Sequence, residues 1–271
     1  MRHPLRVTSI ARTVLEWLDI YFRCQAEIDP DLALVIETEV DDRIAPREHG
    51  IYTYLFACIY ILYMAWYLMD RVSHAEYRAA RRAFRQMILE AQRVFRARPT
   101  RMRDRARLSH PLLRYTQTVD GPTNCFPSMH VGLVVLAYQI IRGSVRADEL
   151  LLQTMRRSCI DVCRSTMETK QHSVIDVIGG MELAHSVYKA NFEGECEDLA
   201  AAVLPELRPL ELEQVQALRG RGIDLVELGG ELLALFGGEQ SIGAPSAGDG
   251  AGAPPPLSQA EAPAGEVRLQ P

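Results

Sequence analysis

Apolar residues recur at helical spacing along most of the chain. Between residues 5 and 24, Leu5, Ile10, Val14 and Leu18 form one such stripe, which ends before Asp29-Pro30. The same spacing predicts helices over 51–69, 78–98, 131–141, 150–169 and 173–190, and two shorter amphipathic helices within 199–236 that meet around 220–222. No alternating strand pattern of useful length occurs, so the chain is predicted to be all-α, a helical bundle.

The stretch from Ile51 to Met69, IYTYLFACIYILYMAWYLM, contains no charged residue. Its length just reaches that of a membrane-spanning helix. It also contains five tyrosines, and each buried hydroxyl needs a hydrogen-bond partner. This composition favours a buried central helix of a bundle over a true membrane span, and both interpretations remain open.

The predicted helix 78–98 lies in a strongly basic part of an acidic chain. Residues 78–107 contain 11 arginines but only two acidic residues, although the whole chain carries a formal charge of -5. An apolar stripe, including Phe84, Ile88 and Phe95, runs along this helix. Such a helix can pack on a core or lie on an anionic membrane surface. The acidic total and the few aromatic residues among the arginines argue against nucleic-acid binding.

Two short blocks contain reactive residue types in orderly spacing. The first block is NCFPSMH, residues 124–130, and the second is STMETKQHSVID, residues 165–176. In the second block, His172 and Asp176 stand four residues apart, so on a helix they would share one face. The carboxylate would then orient one imidazole nitrogen and leave the other free to act as a nucleophile or base. Alone, a His-x-x-x-Asp pair is most often a simple hydrogen bond on a surface or in a core.

The first block, NCFPSMH, is expected to begin a helix. Pro127 favours a first turn, and Ser128 would place its hydroxyl beside exposed backbone N–H groups, where phosphate binds readily. His130 would face the same anion and could protonate a leaving oxygen. Lys170 could neutralise phosphate oxygens as a point charge.

Together the two blocks resemble motifs of the type-2 phosphatidic acid phosphatase superfamily, Pro-Ser-x-His and Ser-Arg-x5-His-x3-Asp. Pro127, Ser128 and His130 match the former. Ser165, His172 and Asp176 match the latter. The residues around the two motifs look most like those of the branch of the inositol phosphorylceramide synthases, in which Ser-Thr often replaces Ser-Arg. The resemblance implies a phosphohistidine on His172, orientation by Asp176, protonation by His130, phosphate binding by Ser128 and Ser165, and no metal or other cofactor.

The chain departs from the family pattern at the first motif, Lys-x6-Arg-Pro. Arg98-Pro99 is present, but Ala91 stands where the lysine belongs. Arg98 and Arg105 are therefore the candidates taken for the phosphate clamp, with Arg103 and Arg107 as alternatives. Thr166 occupies the position of the family arginine, so Lys170 would have to compensate.

The resemblance leads us to expect a metal-independent phosphohydrolase or phosphotransferase acting on a phosphate or diphosphate ester of a lipid or prenyl chain. One alternative is a prenyl-diphosphate cyclase or a vanadate-dependent haloperoxidase that uses the same pocket. Another is an inactive helical protein that binds membrane surfaces. The expected partners are the substrate and an anionic membrane surface, and the expected location is membrane-associated, with the cytoplasm as the alternative.

Three segments are predicted along the chain. Residues 1–197 would form the helical catalytic domain, and 198–236 the C-terminal amphipathic helices. Residues 237–271 are dominated by Gly, Ala, Pro and Ser, so they are predicted to be a disordered tail.

Overall fold

The computed structural model describes residues 4–29, 31–102, 109–121, 123–144 and 148–237, and this part of the chain is predominantly helical. The elements, in chain order, are α1 (Pro4–Glu27), β1 (Leu34–Val35), α2 (Glu39–Asp42), α3 (Gly50–Asp70), α4 (His74–Ala97), β2 (Thr100–Arg101), α5 (Pro111–Val119), α6 (Met129–Arg142), α7 (Glu149–Glu168), α8 (Val174–Asn191), α9 (Ala200–Val203), α10 (Pro209–Gly220) and α11 (Leu225–Leu235).

The all-α prediction is confirmed, and each long predicted helix is present. The short helices α2, α5 and α9 were not predicted; α2 and α9 have four residues each, too few to show a period. The described residues also contain one parallel pair of two-residue strands, which aligns Leu34 with Thr100 and Val35 with Arg101. This pair connects the segment after α1 to the segment after α4.

Helices α6 and α8 form the centre of the bundle. Twelve of the fourteen residues of α6 are buried, and α8 is buried on nearly every side. The two helices approach closely because Gly180 has no side chain: a Cβ there would lie 2.6 Å from the Ser128 carbonyl oxygen. The neighbouring Gly179 makes room for the Phe126 ring. This close approach brings the beginning of α6 against the beginning of α8.

Helix α3 packs one face against the bundle and leaves the other exposed. On the buried face, the hydroxyl of Tyr60 donates to the Met155 carbonyl and that of Tyr67 donates to the Ser144 hydroxyl. On the outer face, Ile59 and Leu62 are more than half exposed. Among the described residues, 50–68 is the one helical stretch long and apolar enough to cross a membrane, and 39% of its most apolar part is buried in the protein.

The basic helix α4 packs its apolar stripe into the core and holds α1 with its arginines. Arg85 pairs with Glu16 at 3.1 Å, and Arg96 pairs with Glu27 at 3.0 Å. Exposed pairs of this kind stabilise a fold by about 0–1 kcal/mol each. They also neutralise part of the basic face, while Arg78 and Arg82 remain exposed.

The C-terminal helices pack on the outside of the bundle. Helix α11 contributes Leu228, Leu232 and Leu233 to the core. Although burial opposes it, hydrogen bonds from Arg43 and Arg208 lower the pKa of Glu211, in α10, to about 2. The predicted tail lies outside the described residues except for Gly237.

Candidate active site

The loop between α7 and α8 places His172 just before α8, and not on it. Helix α7 ends at Glu168, and Lys170 then adopts a left-handed backbone conformation with φ 54°. The amides of Gln171 and His172 both donate to the Thr166 carbonyl, which closes the turn. The expectation that His172 and Asp176 share one face of a helix was therefore wrong in its local structure, because Ser173 begins the helix.

A capping box at the start of α8 brings the pair together all the same. The Ser173 hydroxyl accepts from the Asp176 amide, and Asp176 Oδ2 accepts from the Ser173 amide at 2.8 Å. His172 Nδ1 lies 3.4 Å from Asp176 Oδ2, close enough for attraction but longer than a good hydrogen bond. His172 is 8% exposed and Asp176 is fully buried.

Several buried polar side-chain atoms without a hydrogen-bond partner lie at this site, and others lie elsewhere in the described residues. At the site they include His172 Nδ1 and Asp176 Oδ1. Leaving a buried polar atom unpaired costs about 1–3 kcal/mol. Among the described residues, the non-glycine residues with a left-handed backbone are Asn124 and Lys170, with φ 60° and 54°, and one lies in each sequence block.

The start of α6 lies against the start of α8. Ser128 is the N-cap residue of α6, and its own amide donates to the Asp176 carbonyl at 3.0 Å. Two residues later, the His130 ring reaches a centroid distance of 5.8 Å from the His172 ring, with the ring planes at 56°. The fold thus brings together the two histidines that the sequence blocks place 42 positions apart.

His130 is partly buried and contacts α3. Its ring centroid is 4.4 Å from that of Tyr54, and its Nδ1 is 3.3 Å from the Tyr54 hydroxyl. Burial lowers the pKa of His130 to about 4; the Asp120 carboxylate acts in the opposite direction, and the His172 ring lowers it further. His130 is therefore neutral at pH 7 in the unliganded chain.

A second buried carboxylate, that of Asp41, binds the backbone at the end of the α7–α8 loop. Its Oδ1 accepts from the Val174 amide at 2.7 Å, while its Oδ2 accepts from the Thr38 amide at 2.8 Å. Burial raises the pKa of Asp41 to about 6, and the nearby Asp176 contributes in the same direction. Asp41 thus connects α2 to the first residue of α8.

Among the predicted phosphate ligands, Ser128 lies at the site and the others have different partners. The Ser165 hydroxyl donates to the Val162 carbonyl within α7. Lys170 Nζ donates to the Asp41 and Ile44 carbonyls at 2.7 and 2.9 Å, so its ammonium group satisfies carbonyl oxygens at and just after the C-terminal end of α2. Arg98 donates to the Val226 carbonyl at 3.0 Å.

Arg105, together with the alternatives Arg103 and Arg107, lies outside the described residues. Phosphate binding by Ser165, Lys170, Arg98 and Arg105 stays a prediction.

The site also contains three potential metal donors. One ligand atom each from Cys125, His172 and Asp176 lies within 4.8 Å of the others, and all three residues are buried. A thiolate, an imidazole and a carboxylate are ligands that Zn²⁺ accepts, and catalytic zinc sites commonly use three protein ligands and one open position. The donor set therefore fits a zinc ion.

Four residues of the site were missed by reasoning from the sequence, one of them Cys125, which stands in the first block but was given no role. Asp41 has a sequence signal, since Thr38-x-x-Asp41 has the spacing of a capping box. Tyr54 was recognised only as one of several tyrosines that need a partner. Asp120, which accepts a hydrogen bond from the Tyr54 hydroxyl, has no sequence signal that we can identify.

Comparisons of the chain with family models, with curated proteins and with solved structures found no match. What the site can do must therefore be argued from its geometry. It combines an imidazole beside a carboxylate, a second imidazole with its ring centroid 5.8 Å away, and the N-terminal end of α6; the N-terminal end of α8 already binds the Asp176 and Asp41 carboxylates. The two imidazoles could serve as a nucleophile and a proton donor towards an ester.

Proposed function

We propose that the chain is a metal-independent phosphohydrolase or phosphotransferase that works through a phosphohistidine on His172, with a helical bundle of the type-2 phosphatidic acid phosphatase kind. The observation that carries the proposal is the meeting of His130, His172 and Asp176 at the paired N-terminal ends of α6 and α8. Two separated sequence blocks that resemble one family's motifs come together with their histidine rings 5.8 Å apart.

The nucleophile in this mechanism is His172 Nε2. Because Nδ1 faces the Asp176 carboxylate, a proton on Nδ1 is favoured and the lone pair resides on Nε2. As Nε2 attacks phosphorus, the ring becomes positively charged, and Asp176 stabilises that charge. The phosphorus–oxygen bond to the leaving group breaks, and His130 supplies the proton to that oxygen.

The low pKa of His130 is compatible with this role once substrate is bound. A phosphate dianion beside the ring favours the protonated imidazole, since an opposite charge within a few ångströms raises the pKa of a histidine. In the second half-reaction, neutral His130 takes a proton from water or an alcohol as its oxygen attacks phosphorus, and the P–N bond breaks so that His172 leaves as a neutral imidazole. Water as the acceptor gives a phosphatase, and an alcohol gives a phosphotransferase.

An apolar cavity of about 80 Å³ lies between α1, α3, α4 and α6, lined by residues that include Trp17, Ile61, Phe84 and Leu133. Its lining, within the described part of the chain, contains none of the site residues. The choice of a lipid or prenyl substrate therefore rests on the resemblance to the family motifs and on the exposed apolar faces of α1 and α3.

Exposed apolar residues support association with a membrane surface. Leu15 and Phe22 on α1, and Tyr52 and Leu62 on α3, each expose 47–68% of their surface. Water-exposed apolar residues on neighbouring helices favour contact with a lipid phase. Recovery of the chain in an alkaline carbonate wash of membranes would assign it to the surface, and retention in the pellet would assign α3 to the bilayer.

The test of the function is phosphate release from a panel of lipid and prenyl phosphates in the presence of EDTA. The wild-type chain should release phosphate, and His172→Ala should not. His74→Ala, at an exposed histidine in α4, is the matched control and should behave as wild type. A phosphorylated nitrogen on His172, trapped by rapid quenching and located by mass spectrometry, would identify the intermediate.

A second candidate function, metal-assisted hydrolysis, is favoured by the cluster of Cys125, His172 and Asp176. A zinc ion held by the three residues would supply a bound water of lowered pKa. EDTA and Cys125→Ser separate the two candidates: both should abolish a zinc-dependent activity and leave the phosphohistidine reaction intact.

A further inference from the structure

We infer that Asp120 and Tyr54 form a relay that positions His130 and fixes which of its nitrogens delivers the proton. The inference rests on the proposed function for its catalytic meaning. The general acid would then be oriented by a carboxylate acting through a hydroxyl, while the nucleophile His172 is oriented by Asp176 directly.

The relay is a continuous chain of polar contacts between three elements. The Tyr54 hydroxyl, on α3, donates to Asp120 Oδ2 at 3.1 Å. Its oxygen lies 3.3 Å from His130 Nδ1, on α6. The two rings are 4.4 Å apart at 35°, so the aromatic contact restrains the imidazole as well. Asp120 follows the last residue of α5, and its other oxygen accepts from the Tyr21 hydroxyl of α1.

The direction of the hydrogen bonds assigns the tautomer of His130. A tyrosine hydroxyl has one proton, and an ionised carboxylate is a stronger acceptor than a neutral imidazole. With that proton on the side of Asp120, the Tyr54 oxygen accepts from a protonated His130 Nδ1. His130 Nε2 is then the nitrogen that gains and gives the catalytic proton, and Nδ1–H is retained throughout the step.

The titratable groups around the His130 ring in the described residues are Tyr54 of α3, Asp120 after α5 and His172 before α8. Tyr54 contacts the ring directly, and Asp120 acts through the Tyr54 hydroxyl.

Activity profiles of two matched tyrosine variants test the relay. The assay is kcat against pH with the best substrate of the phosphate-release panel. Tyr54→Phe should lower kcat by about 10-fold, with KM nearly unchanged, and should move the basic limb of the profile to lower pH. The basic limb reports the acid in the enzyme–substrate complex, and this acid loses the acceptor for its Nδ1–H.

Tyr21→Phe is the control, because it removes the other hydroxyl bound to Asp120 without touching His130. It should leave the basic limb where it is in the wild type. Asp120→Asn should move the limb in the same direction as Tyr54→Phe. Equal effects of the two tyrosine variants, or an unmoved limb in Tyr54→Phe, would overturn the relay and leave Tyr54 a purely structural partner of Asp120.

Nitrogen NMR of chains with ¹⁵N-labelled histidine gives a readout that needs no turnover. The shifts of the His130 ring should report a proton on Nδ1 in wild type and in Tyr21→Phe, and a mixture of tautomers in Tyr54→Phe. A tautomer that depends on Tyr54 in an inactive wild-type chain would support the relay and contradict the proposed function. Normal turnover with a tautomer independent of Tyr54 would contradict the relay alone.

Discussion

Two buried histidines, at opposite ends of the same pair of helices, have very different surroundings. His172, at the N-terminal end of α8, has a ring nitrogen with no hydrogen-bond partner and a carboxylate at 3.4 Å. His185, the twelfth of the eighteen residues of α8, accepts from Arg219 Nη2 on Nδ1 at 2.7 Å, and its Nε2 lies 3.4 Å from Gln139 Nε2, which is a donor to the Glu197 carbonyl. The His172 Nδ1 atom thus has no hydrogen bond, whereas the His185 Nδ1 atom has one from a buried arginine.

The partners of His185 are themselves satisfied. Arg219 is 7% exposed and pairs with Glu182 and Asp198, each at 2.9 Å. A satisfied buried network orients helices and leaves little room for a ligand. An unsatisfied one costs stability and is typical of a reactive site. The contrast shows that two histidines of nearly equal burial can differ in the polar groups that reach their rings.

The largest expected effects come from replacing each of these histidines with alanine, because one replacement should lower kcat and the other should lower stability. His172→Ala should lower kcat by at least about 10³-fold and change the free energy of unfolding by less than about 1 kcal/mol, since it removes an unpaired polar group. His185→Ala should instead destabilise the fold by about 2 kcal/mol and leave the kcat of the folded protein intact. Urea unfolding and turnover measured on both variants give the result. A stability loss in His172→Ala as large as in His185→Ala would remove the distinction.

Asp176→Asn separates the orienting role of the carboxylate from its capping role. Asparagine retains an oxygen for the Ser173 amide but loses the charge that stabilises the His172 imidazolium, so kcat should fall by about 10²–10⁴-fold. The matched control is Asp148→Asn, at the exposed N-cap of α7, which should change stability by a few tenths of a kcal/mol and kcat hardly at all. Comparable kcat values for the two variants would argue against an orienting carboxylate.

The lowered pKa of His185 should make the stability of the fold depend on pH. Burial and the Arg219 charge lower the pKa of His185 from 6.5 to about 4, so the unfolded chain binds a proton at a higher pH than the folded chain. Its contribution to stability is complete above pH 6.5 and is lost as the pH falls towards 4, with an upper limit of about 3 kcal/mol. His130 acts with the same sign, and the raised pKa of Asp41 acts with the opposite sign.

The contribution of His185 is therefore measured as a difference between variants. His185→Gln should flatten the dependence of the unfolding free energy on pH between 6.5 and 4, and His74→Gln, at an exposed position, should not. Identical slopes for wild type and His185→Gln would contradict a neutral buried His185.

A change in stability alone is expected at the glycine that brings the two sequence blocks together. Gly180→Ala should destabilise the fold by about 1–3 kcal/mol, because the new Cβ would lie 2.6 Å from the Ser128 carbonyl oxygen. Gly220→Ala, where nothing lies within 4 Å, should be neutral or stabilise α10 by up to about 1 kcal/mol. If the close contact between α6 and α8 exists in solution, thermal unfolding should show a loss of stability in Gly180→Ala and none in Gly220→Ala.

Much of the fold and part of the site were predictable from local pattern. The period of the apolar residues placed the long helices, because a helix must bury one stripe of its surface whatever it packs against. His130, His172 and Asp176 were chosen from their residue types and spacing together with the resemblance to family motifs, and their catalytic roles stay predictions. The predicted helix 173–190 begins where the structure has its N-cap, at Ser173, so the argument that His172 and Asp176 would share a face if both lay on a helix did not apply.

The remaining features depend on contacts between distant segments. Spacing predicted a role for Lys170 at the phosphate, but the fold directs its ammonium to two carbonyls at the end of α2. Nothing in the local sequence of Tyr54 or Asp120 indicates that they reach His130, which lies 76 residues from Tyr54.

The sequence by itself therefore determined the helices and the reactive residue types, since both depend on the periodicity and chemistry of neighbouring residues. Only the tertiary structure decided which of the histidines stand unpaired and which carboxylates support them. The physical reason is that hydrogen-bond satisfaction is a property of the packed interior, where helices from every part of the chain meet.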